Sequence, residues 1–195
     1  FGLLLAALHR LDFLPDPSRE LKEAVQAMRA QQESLLPEVP DIHNSSKRMA
    51  GQFVGRWITI YGAGLMAPVA RRWKAQINEN AKAQASFEEL PEADHNTLQG
   101  VLQPEDQFRA TMAIFLRAEH NHPRDETRAE HTRMAMMVEG QNTDTVTALG
   151  DSPMANMWTA LHHGDYTSYY LAMAYGVDPT PVPMLADLKE KMKGA

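Results

Sequence analysis

Short apolar runs alternate with longer amphipathic segments through the middle of the chain. The first run, Trp57 to Tyr61, has the β-branched and aromatic composition of a buried strand, and the turn Gly62-Ala63-Gly64 joins it to a helical pattern from Met66 to Lys82. The segments that continue this alternation are strand candidates at 86–90, 109–117 and 144–149 and helix candidates at 95–102 and 124–139. Strands alternating with helices predict an α/β domain with a mainly parallel sheet covered by helices on both faces.

Helical patterns also occupy both ends of the chain. Before the sheet we expect a helix over 3–11, a helix from Ser18 to Gln32, a linker over 35–44, and a helix capped by Ser45 or Ser46 that ends at Phe53. After it we expect three helices at 152–162, 165–176 and 184–192, with Gly164 and Gly176 as separators. The predicted organisation is a helical segment and linker over residues 1–44, then the main α/β domain over 45–195.

The charge and the length of the apolar stretches bear on whether the chain binds nucleic acid or a membrane. The formal charge of −6 comes from 25 acidic and 19 basic residues spread along the chain, without the Lys/Arg block that binds nucleic acid or an anionic membrane. The uncharged stretch from Trp57 to Ala70 is too short to span a bilayer. We therefore expect no nucleic acid and no membrane as partners.

Two further features of the sequence concern the cellular compartment of the chain and whether it is part of a longer protein. Cysteine is absent, which excludes disulfides, thiolate zinc sites and a cysteine nucleophile, and which fits a cytoplasmic protein. The chain opens at Phe1 inside an apolar run, without an initiator Met or a signal-peptide pattern, so we expect it to be a piece of something longer.

The glycine turn is the first candidate site. A turn between a strand and a helix presents backbone N–H groups at the carboxyl edge of a sheet, where anions bind. It lacks the third glycine of a dinucleotide fingerprint and the Lys-Ser/Thr of a P-loop, so it identifies no nucleotide. Gly62 and Gly64 are candidate substrate-binding residues, with a plain tight turn as the alternative.

Two polar segments after this turn carry candidate chemistry. The sequence Asn78-Glu79-Asn80-Ala81-Lys82 ends the first helix of the domain with a carboxylate between two amides, and a proline-limited loop brings His95 to the start of the next helix. Taken singly, Glu79 fits a solvated helix end and His95 fits a surface or capping position.

Together with later segments, these two resemble the bifunctional phosphoglucose/phosphomannose isomerase family. The similar segments, in order, are Trp73 to Lys82, Glu89 to Glu92, His95-Asn96, His122 to Arg124, Gly164 to Ala172, Val177 to Val182 and Leu188-Lys189. The resemblance runs from about Ser45 to the end of the chain, and residues 1–30 are similar to that family's connection out of its first domain.

The resemblance implies a C-terminal sugar-isomerase (SIS) domain, a three-layer sandwich that works as a homodimer. It implies interconversion of glucose 6-phosphate and mannose 6-phosphate with fructose 6-phosphate, without a cofactor. The family's catalytic base falls on Glu79, and its ring-opening histidine, contributed by the neighbouring subunit, falls on His95. A lysine near the sugar falls on Lys189, with Lys191 as the alternative, and Asn80 is a further substrate-binding candidate.

The residue types suit this chemistry. Moving a carbonyl between C1 and C2 requires a base that takes a carbon-bound proton and returns it to the neighbouring carbon through an enediol, which one carboxylate can do. Opening the sugar ring requires proton exchange near neutral pH, which imidazole provides. A lysine cation stabilises charge that develops on oxygen.

The remaining histidines and tyrosines are interpreted without chemistry. No His-Glu-x-x-His spacing occurs, and adjacent histidines on a helix point in different directions, so we expect no metal site. Tyrosines at helical spacing are more typical of core and dimer packing. The histidines concerned are His120, His122, His131, His162 and His163, and the tyrosines are Tyr166, Tyr169, Tyr170 and Tyr175.

One part of the family's site is missing from the sequence. The family holds the substrate phosphate with a Ser/Thr-rich loop and an arginine in its first domain, and no Ser-x-Ser-x-x-Thr cluster occurs here. We expect a piece of a longer isomerase that is inactive without that first domain. The alternatives are a non-catalytic module that senses sugar phosphates and a dimerisation domain.

Overall fold

The structure, a computed structural model, describes residues 1–193. The helices of the described residues are α1 (Gly2–Arg10), α2 (Ser18–Gln32), α3 (Ser45–Phe53), α4 (Ala67–Ala81), α5 (Thr97–Gly100), α6 (Pro123–Val138), α7 (Pro153–Tyr175) and α8 (Pro183–Met192). The strands are β1 (Trp57–Ala63), β2 (Ala85–Leu90), β3 (Thr111–Arg117) and β4 (Asn142–Thr147). Short 3-10 turns include Gly64–Met66 and Glu92–His95.

The four strands form one parallel sheet in the order β2-β1-β3-β4. Ile60 at its centre pairs with Phe87 on one side and Ile114 on the other. The last residues of the strands, which include Ala63 and Leu90, form what we call the carboxyl edge, and their first residues form the amino edge. The predicted α/β class with a parallel sheet between helices is confirmed.

Alternation along the strands divides the core between the two faces of the sheet. Ile58 and Ile60 face the layer that contains α3, α4 and α7, where Trp73 of α4 is 1% exposed. Tyr61 faces the opposite layer, where it stacks on Phe115 with ring centroids 4.7 Å apart and packs with α6. Because successive strand residues point to opposite faces, one apolar run stabilises both helical layers.

The predicted break at Gly164 is wrong, because Gly164 lies inside α7, a continuous helix of 23 residues. A Cβ at Gly164 would lie 2.4 Å from the indole nitrogen of Trp73, and that nitrogen donates a hydrogen bond to the Ala160 carbonyl at 2.8 Å. The glycine therefore allows α4 and α7 to approach closely instead of ending a helix. Gly176 does end α7, with a left-handed φ of 66°.

The helix that precedes the sheet is capped differently from the prediction. The Asn44 side chain accepts a hydrogen bond from the Lys47 N–H at 3.0 Å and is the N-cap of α3, so the predicted caps at Ser45 and Ser46 are wrong. Both serines lie in the first turn and contact His163: the Ser45 hydroxyl is 3.0 Å from Nε2, and the Ser46 hydroxyl donates to the backbone carbonyl at 3.2 Å. Both hydroxyls therefore form hydrogen bonds to His163 of α7 instead of capping α3.

The segment before Asn44 packs against the main domain. Gln31 of α2 lies 2.9 Å from His162 of α7, and the Tyr170 hydroxyl donates to the Leu35 carbonyl at 2.5 Å. By contrast, α1 has no fully buried residue, and its Leu3 is 90% exposed. The division of the chain into residues 1–44 and 45–195 stays a prediction.

Candidate active site

Glu79 lies in the last turn of α4, at the amino edge of the sheet. The helix begins just after the carboxyl end of β1 and returns along the sheet toward the start of β2, which carries Glu79 away from the glycine turn by nearly the whole helix. Fifteen residues of α-helix span about 22 Å. The Glu79 side chain is exposed, and within residues 1–193 its carboxylate has no hydrogen-bond or ion-pair partner.

The residues around Glu79 are fixed by packing and side-chain hydrogen bonds. Ile77 and Ala81 are buried on the inner face of α4. The Asn78 amide donates to the Ala83 carbonyl at 2.8 Å, and the Asn80 amide donates to the Ser168 hydroxyl of α7 at 2.9 Å. These contacts hold the backbone on both sides of a carboxylate that is itself open to solvent, which is the arrangement that a positioned base requires.

Lys82 follows this turn in an unusual backbone conformation. It is the C-cap of α4 with φ 55° and ψ 25°, a left-handed region that Gly and Asn occupy far more often. Its ammonium donates to the Glu79 carbonyl and, at 3.1 Å, to the carbonyl of Pro179. Sequence reasoning did not assign Lys82 a role, and nothing in its local sequence announces a contact 97 residues away.

The lysine candidates lie on α8, which begins four residues after Pro179. Lys189 and Lys191 are both exposed. Lys191 pairs with Asp187 at 2.6 Å within the helix, whereas Lys189 has no ion-pair partner in the part of the chain that the structure describes. Because Lys82 ties the preceding connection to α4, the base of α8 lies on the same edge as Glu79. The assignment of the site lysine to Lys189 stays a prediction.

His95 lies at the opposite edge of the same subunit. It ends the 3-10 turn Glu92–His95, just after the carboxyl end of β2, whereas Glu79 precedes the start of that strand. Six strand residues span about 20 Å. The neighbouring Asp94 fixes the turn by accepting hydrogen bonds from Thr132 at 2.8 Å and Arg128 at 3.0 Å, while His95 itself is exposed. Within one chain, His95 and Glu79 do not meet.

The glycine turn lies at the carboxyl edge and is closely packed by its own chain. A Cβ at Gly62 would lie 2.3 Å from the Met66 carbonyl oxygen, and one at Gly64, whose φ is 49°, would lie 2.6 Å from the side-chain oxygen of Asn121. The Leu65 N–H already donates to that Asn121 oxygen at 3.0 Å. Packing therefore accounts for both glycines, and their substrate-binding roles stay predictions.

Buried amides dominate the carboxyl edge, and sequence reasoning missed them. Asn121 also donates to the Ala63 carbonyl at 3.0 Å, so it joins the loops that follow β1 and β3. Asn156, fully buried in α7, donates to the carbonyls of Leu149 and Gly150 and accepts from the backbone and ring of His120. Asparagine in a loop or a first helical turn is so common that its sequence position alone gives no sign of this role.

A cavity of about 750 Å³ opens at the same edge, between α2 and the loop after β4. Glu20, Glu23 and Asp151 line it, with Arg19 as its one basic residue, and Arg19 pairs with Glu23 at 3.7 Å. An excess of carboxylates disfavours a phosphate dianion there. The exposed carboxylate of Glu79 lies at the amino edge, away from this cavity.

His163 is the most deeply buried histidine of the described residues, and it belongs to the core. Its ring stacks on Trp73 with centroids 5.7 Å apart, and its two nitrogens face the hydroxyls of Ser45 and Thr167. Burial lowers the pKa of His163 to about 4, so the ring is neutral at pH 7. Desolvation also lowers the pKa of the neighbouring His162.

Among residues 1–193, no three His, Cys, Asp or Glu side chains lie together in a way that would hold a metal ion. No helix within the same range has both the length and the apolar character needed to cross a membrane.

Comparison with known proteins supplies the family. The chain is 30% identical over 190 residues to the bifunctional phosphoglucose/phosphomannose isomerase of Caldicellulosiruptor bescii, covering 97% of this chain and 56% of the relative. It is 31% identical over 192 residues to the protein of the same name from Aquifex aeolicus, covering 98% of this chain and 57% of the relative. The chain thus spans little more than half the length of these relatives.

A solved structure agrees in fold. The crystal structure of a glucose-6-phosphate isomerase like protein from Thermus thermophilus matches with a TM-score of 0.72 at 23% identity, covering 83% of this chain and 54% of that one. The model of the family described as the bacterial phospho-glucose isomerase C-terminal SIS domain matches residues 42–192. The predicted resemblance is confirmed, and the chain belongs to this family of sugar-isomerase domains.

Proposed function

We propose that this chain is the C-terminal half of a longer isomerase that interconverts glucose 6-phosphate and mannose 6-phosphate with fructose 6-phosphate. The observation that carries the proposal is the open carboxylate of Glu79 on an immobilised helix end. An anionic side chain gains nothing from the dipole at a helix C-terminus, where cations are favoured, so helix stability does not explain a glutamate there.

The proposed reaction is a proton transfer between neighbouring carbons. The Glu79 carboxylate removes the proton from C2 of the open-chain aldose while O1 is protonated, which gives an enediol. It then delivers the proton to C1 while the O2 proton leaves, which gives the ketose. Lys189 stabilises the charge that develops on oxygen, and Asn80, whose side-chain oxygen accepts no hydrogen bond from residues 1–193, orients a sugar hydroxyl.

Ring opening is assigned to His95 of a second copy of the chain. The support is the distance of roughly one strand length between His95 and Glu79 within a single subunit. Two chains packed with the carboxyl edge of one against the amino edge of the other would bring the two groups together. The proposed enzyme is therefore a homodimer with shared sites, and the cytoplasmic location expected from the cysteine-free sequence remains part of the proposal.

The test is a coupled isomerase assay on the longer enzyme with each hexose phosphate. We expect Glu79→Gln to lower kcat by at least about 10²-fold, the lower range for a positioned acid–base group, without loss of folding or dimerisation. Glu33→Gln is the matched control, because Glu33 is an exposed glutamate at the end of another helix, α2. Normal turnover in Glu79→Gln would remove the residue from its role.

The chain by itself is expected to show no measurable isomerisation. Phosphate contacts supply much of the remote binding energy that orients such a substrate, and their loss lowers kcat as well as raising KM. A kcat of about 1–10³ s⁻¹ from the 195 residues alone would contradict the need for a first domain. Binding of hexose phosphate by the longer protein without any turnover would instead favour the sensor.

A further inference from the structure

Lys82 connects two parts of the proposed site that are far apart in the sequence. Its ammonium contacts the carbonyl of Glu79 on α4 and the carbonyl of Pro179 in the connection that leads to α8. The Glu79 carbonyl is one of the last carbonyls of its helix, which have no partner within the helix, and a cation at this end is favoured by the helix dipole. The same side chain therefore caps α4 and holds the connection.

The backbone of Lys82 adopts a conformation that is unfavourable for a lysine. Its left-handed conformation is disfavoured for any residue with a Cβ, and glycine occupies such a C-cap most readily. Glycine would be the more favourable C-cap at this position, but only a long side chain such as that of lysine can reach the Pro179 carbonyl.

The connection has little else to hold it. Across residues 1–193, the bond from Lys82 to Pro179 is the only hydrogen bond that joins residues 178–193 to the remainder of the chain. All of α8 is exposed, including the apolar side chains of Met184 and Leu188. Among the hydrogen bonds of the described residues, the one from Lys82 is therefore what ties the connection before α8 to the end of α4.

We propose that Lys82 is a positioning residue that fixes α8, and with it Lys189, relative to the carboxylate of Glu79. The catalytic part of this inference rests on the proposed function. The mechanical part, that Lys82 orders α8, does not.

The mechanical part can be tested on the chain itself, because the absence of cysteine allows spin labels at chosen positions. One label goes on α7 through Met173→Cys and the other on α8 through Ala186→Cys, both exposed sites. The width of the distance distribution from double electron–electron resonance then reports the order of α8. A pair on α7 and α2, Met173→Cys with Lys22→Cys, gives the width for two packed helices.

We expect the α7–α8 width to match the reference pair with Lys82 present, to at least double in Lys82→Gly, and to be largely kept in Lys82→Arg, which retains a cationic donor. Glycine relieves the left-handed backbone, so a broadened distribution cannot be ascribed to a damaged helix end. A broad distribution already present with Lys82, or an unchanged width in Lys82→Gly, would overturn the inference.

In the longer enzyme we expect Lys82→Gly to lower kcat by about tenfold with KM changed less than twofold, because ground-state binding is kept while an interaction of the transition state is lost. Lys82→Arg should restore most of the rate. Disorder of α8 with an unchanged kcat would overturn the link to Lys189. If the parent enzyme has no isomerase activity at all, the proposed function fails, while the distance measurement still decides whether Lys82 orders α8.

Discussion

The two edges of the sheet use polar residues in opposite ways. At the carboxyl edge, the side chains of Asn121 and Asn156 are buried and form hydrogen bonds with the backbone of loops in their own chain. At the amino edge, Glu79 is exposed, on backbone that the side chains of Asn78 and Asn80 hold in place. Open α/β sheets commonly bind ligands at the carboxyl edge. Here the glycine turn at that edge already has its hydrogen-bond partner, and the exposed carboxylate of Glu79 lies at the other edge.

A hydrogen-bond donor at the carboxyl edge indicates a ligand site only when no group of the chain already accepts its hydrogen bond. The N–H after Gly64 has the position of an anion-binding group, yet Asn121 accepts its hydrogen bond and the Asp125 carboxylate lies 3.2 Å from where a Cβ of Gly64 would be. A phosphate bound there would have to displace the Asn121 side chain and would lie near the Asp125 carboxylate, which repels it. Stability should therefore depend on the carboxyl edge, and chemistry on the amino edge together with His95 of a second copy.

Subunit complementation in the longer enzyme tests most directly whether Glu79 and His95 of different copies share a site. Glu79→Gln and His95→Ala variants, each lowered by at least about 10²-fold alone, should together regain about a quarter of the unmodified enzyme's activity when mixed in equal amounts under exchange conditions. Each heterodimer would carry one site with both lesions and one with neither. Confirmed exchange without recovered activity would mean that His95 does not act on the Glu79 of its neighbour.

Acid lability should arise between the edges, at His163. Burial lowers its pKa to about 4 from the usual 6.5, so the unfolded state binds the proton more readily, and the free energy of unfolding falls as the pH drops from 6.5 to 4. A shift of this size corresponds to about 3 kcal/mol. Denaturant unfolding at a series of pH values measures it.

The control for this pH dependence is the exposed His43. The loss between pH 6.5 and 4 should become much smaller in His163→Gln and stay the same in His43→Gln. The comparison uses the change with pH in each variant, so any general destabilisation by the substitution cancels. Equal pH dependence in all three proteins would contradict the assignment to His163.

At the carboxyl edge, Asn121→Ala should lower the free energy of unfolding by about 2 kcal/mol, because it leaves the Leu65 N–H and the Ala63 carbonyl without their partner. The exposed Gln99→Ala should change it by less than about 0.5 kcal/mol. Turnover of folded Asn121→Ala in the longer enzyme should remain within about twofold, since no step of the proposed reaction uses Asn121. A large loss of kcat with unchanged stability would instead give Asn121 and the glycine turn a part in the reaction.

The smallest expected effect separates the two lysines of α8. Lys189→Ala should lower kcat by about tenfold, because it removes a cation from the developing charge. Lys191→Ala should leave kcat within about twofold, because an exposed i,i+4 pair such as Lys191–Asp187 contributes only a few tenths of a kcal/mol to the helix. The same coupled assay measures both, and the reverse order would reassign the site lysine.

Helix and strand types in the sheet region were predictable, whereas several boundaries were not. The apolar run at Ile58–Ile60 predicts a strand because its period and composition are local properties. The break predicted at Gly164 failed because glycine ends a helix in most local contexts, and only Trp73, 91 residues earlier in the numbering, shows why this glycine is needed within one. The cap of α3 moved to Asn44 because His163 contacts both serines.

The α/β class and the family can be recognised from the amino-acid sequence, because hydrophobic periodicity and the order of motifs are properties of the chain read residue by residue. The same motifs single out Glu79 and His95, whose catalytic roles stay predictions. The folded chain adds that these two residues lie at opposite edges of the sheet, that Asn121 accepts the hydrogen bond of the glycine turn, and that Lys82 reaches Pro179. Such contacts join residues tens of positions apart, and their geometry follows from how the helices pack on the sheet, which no local pattern records.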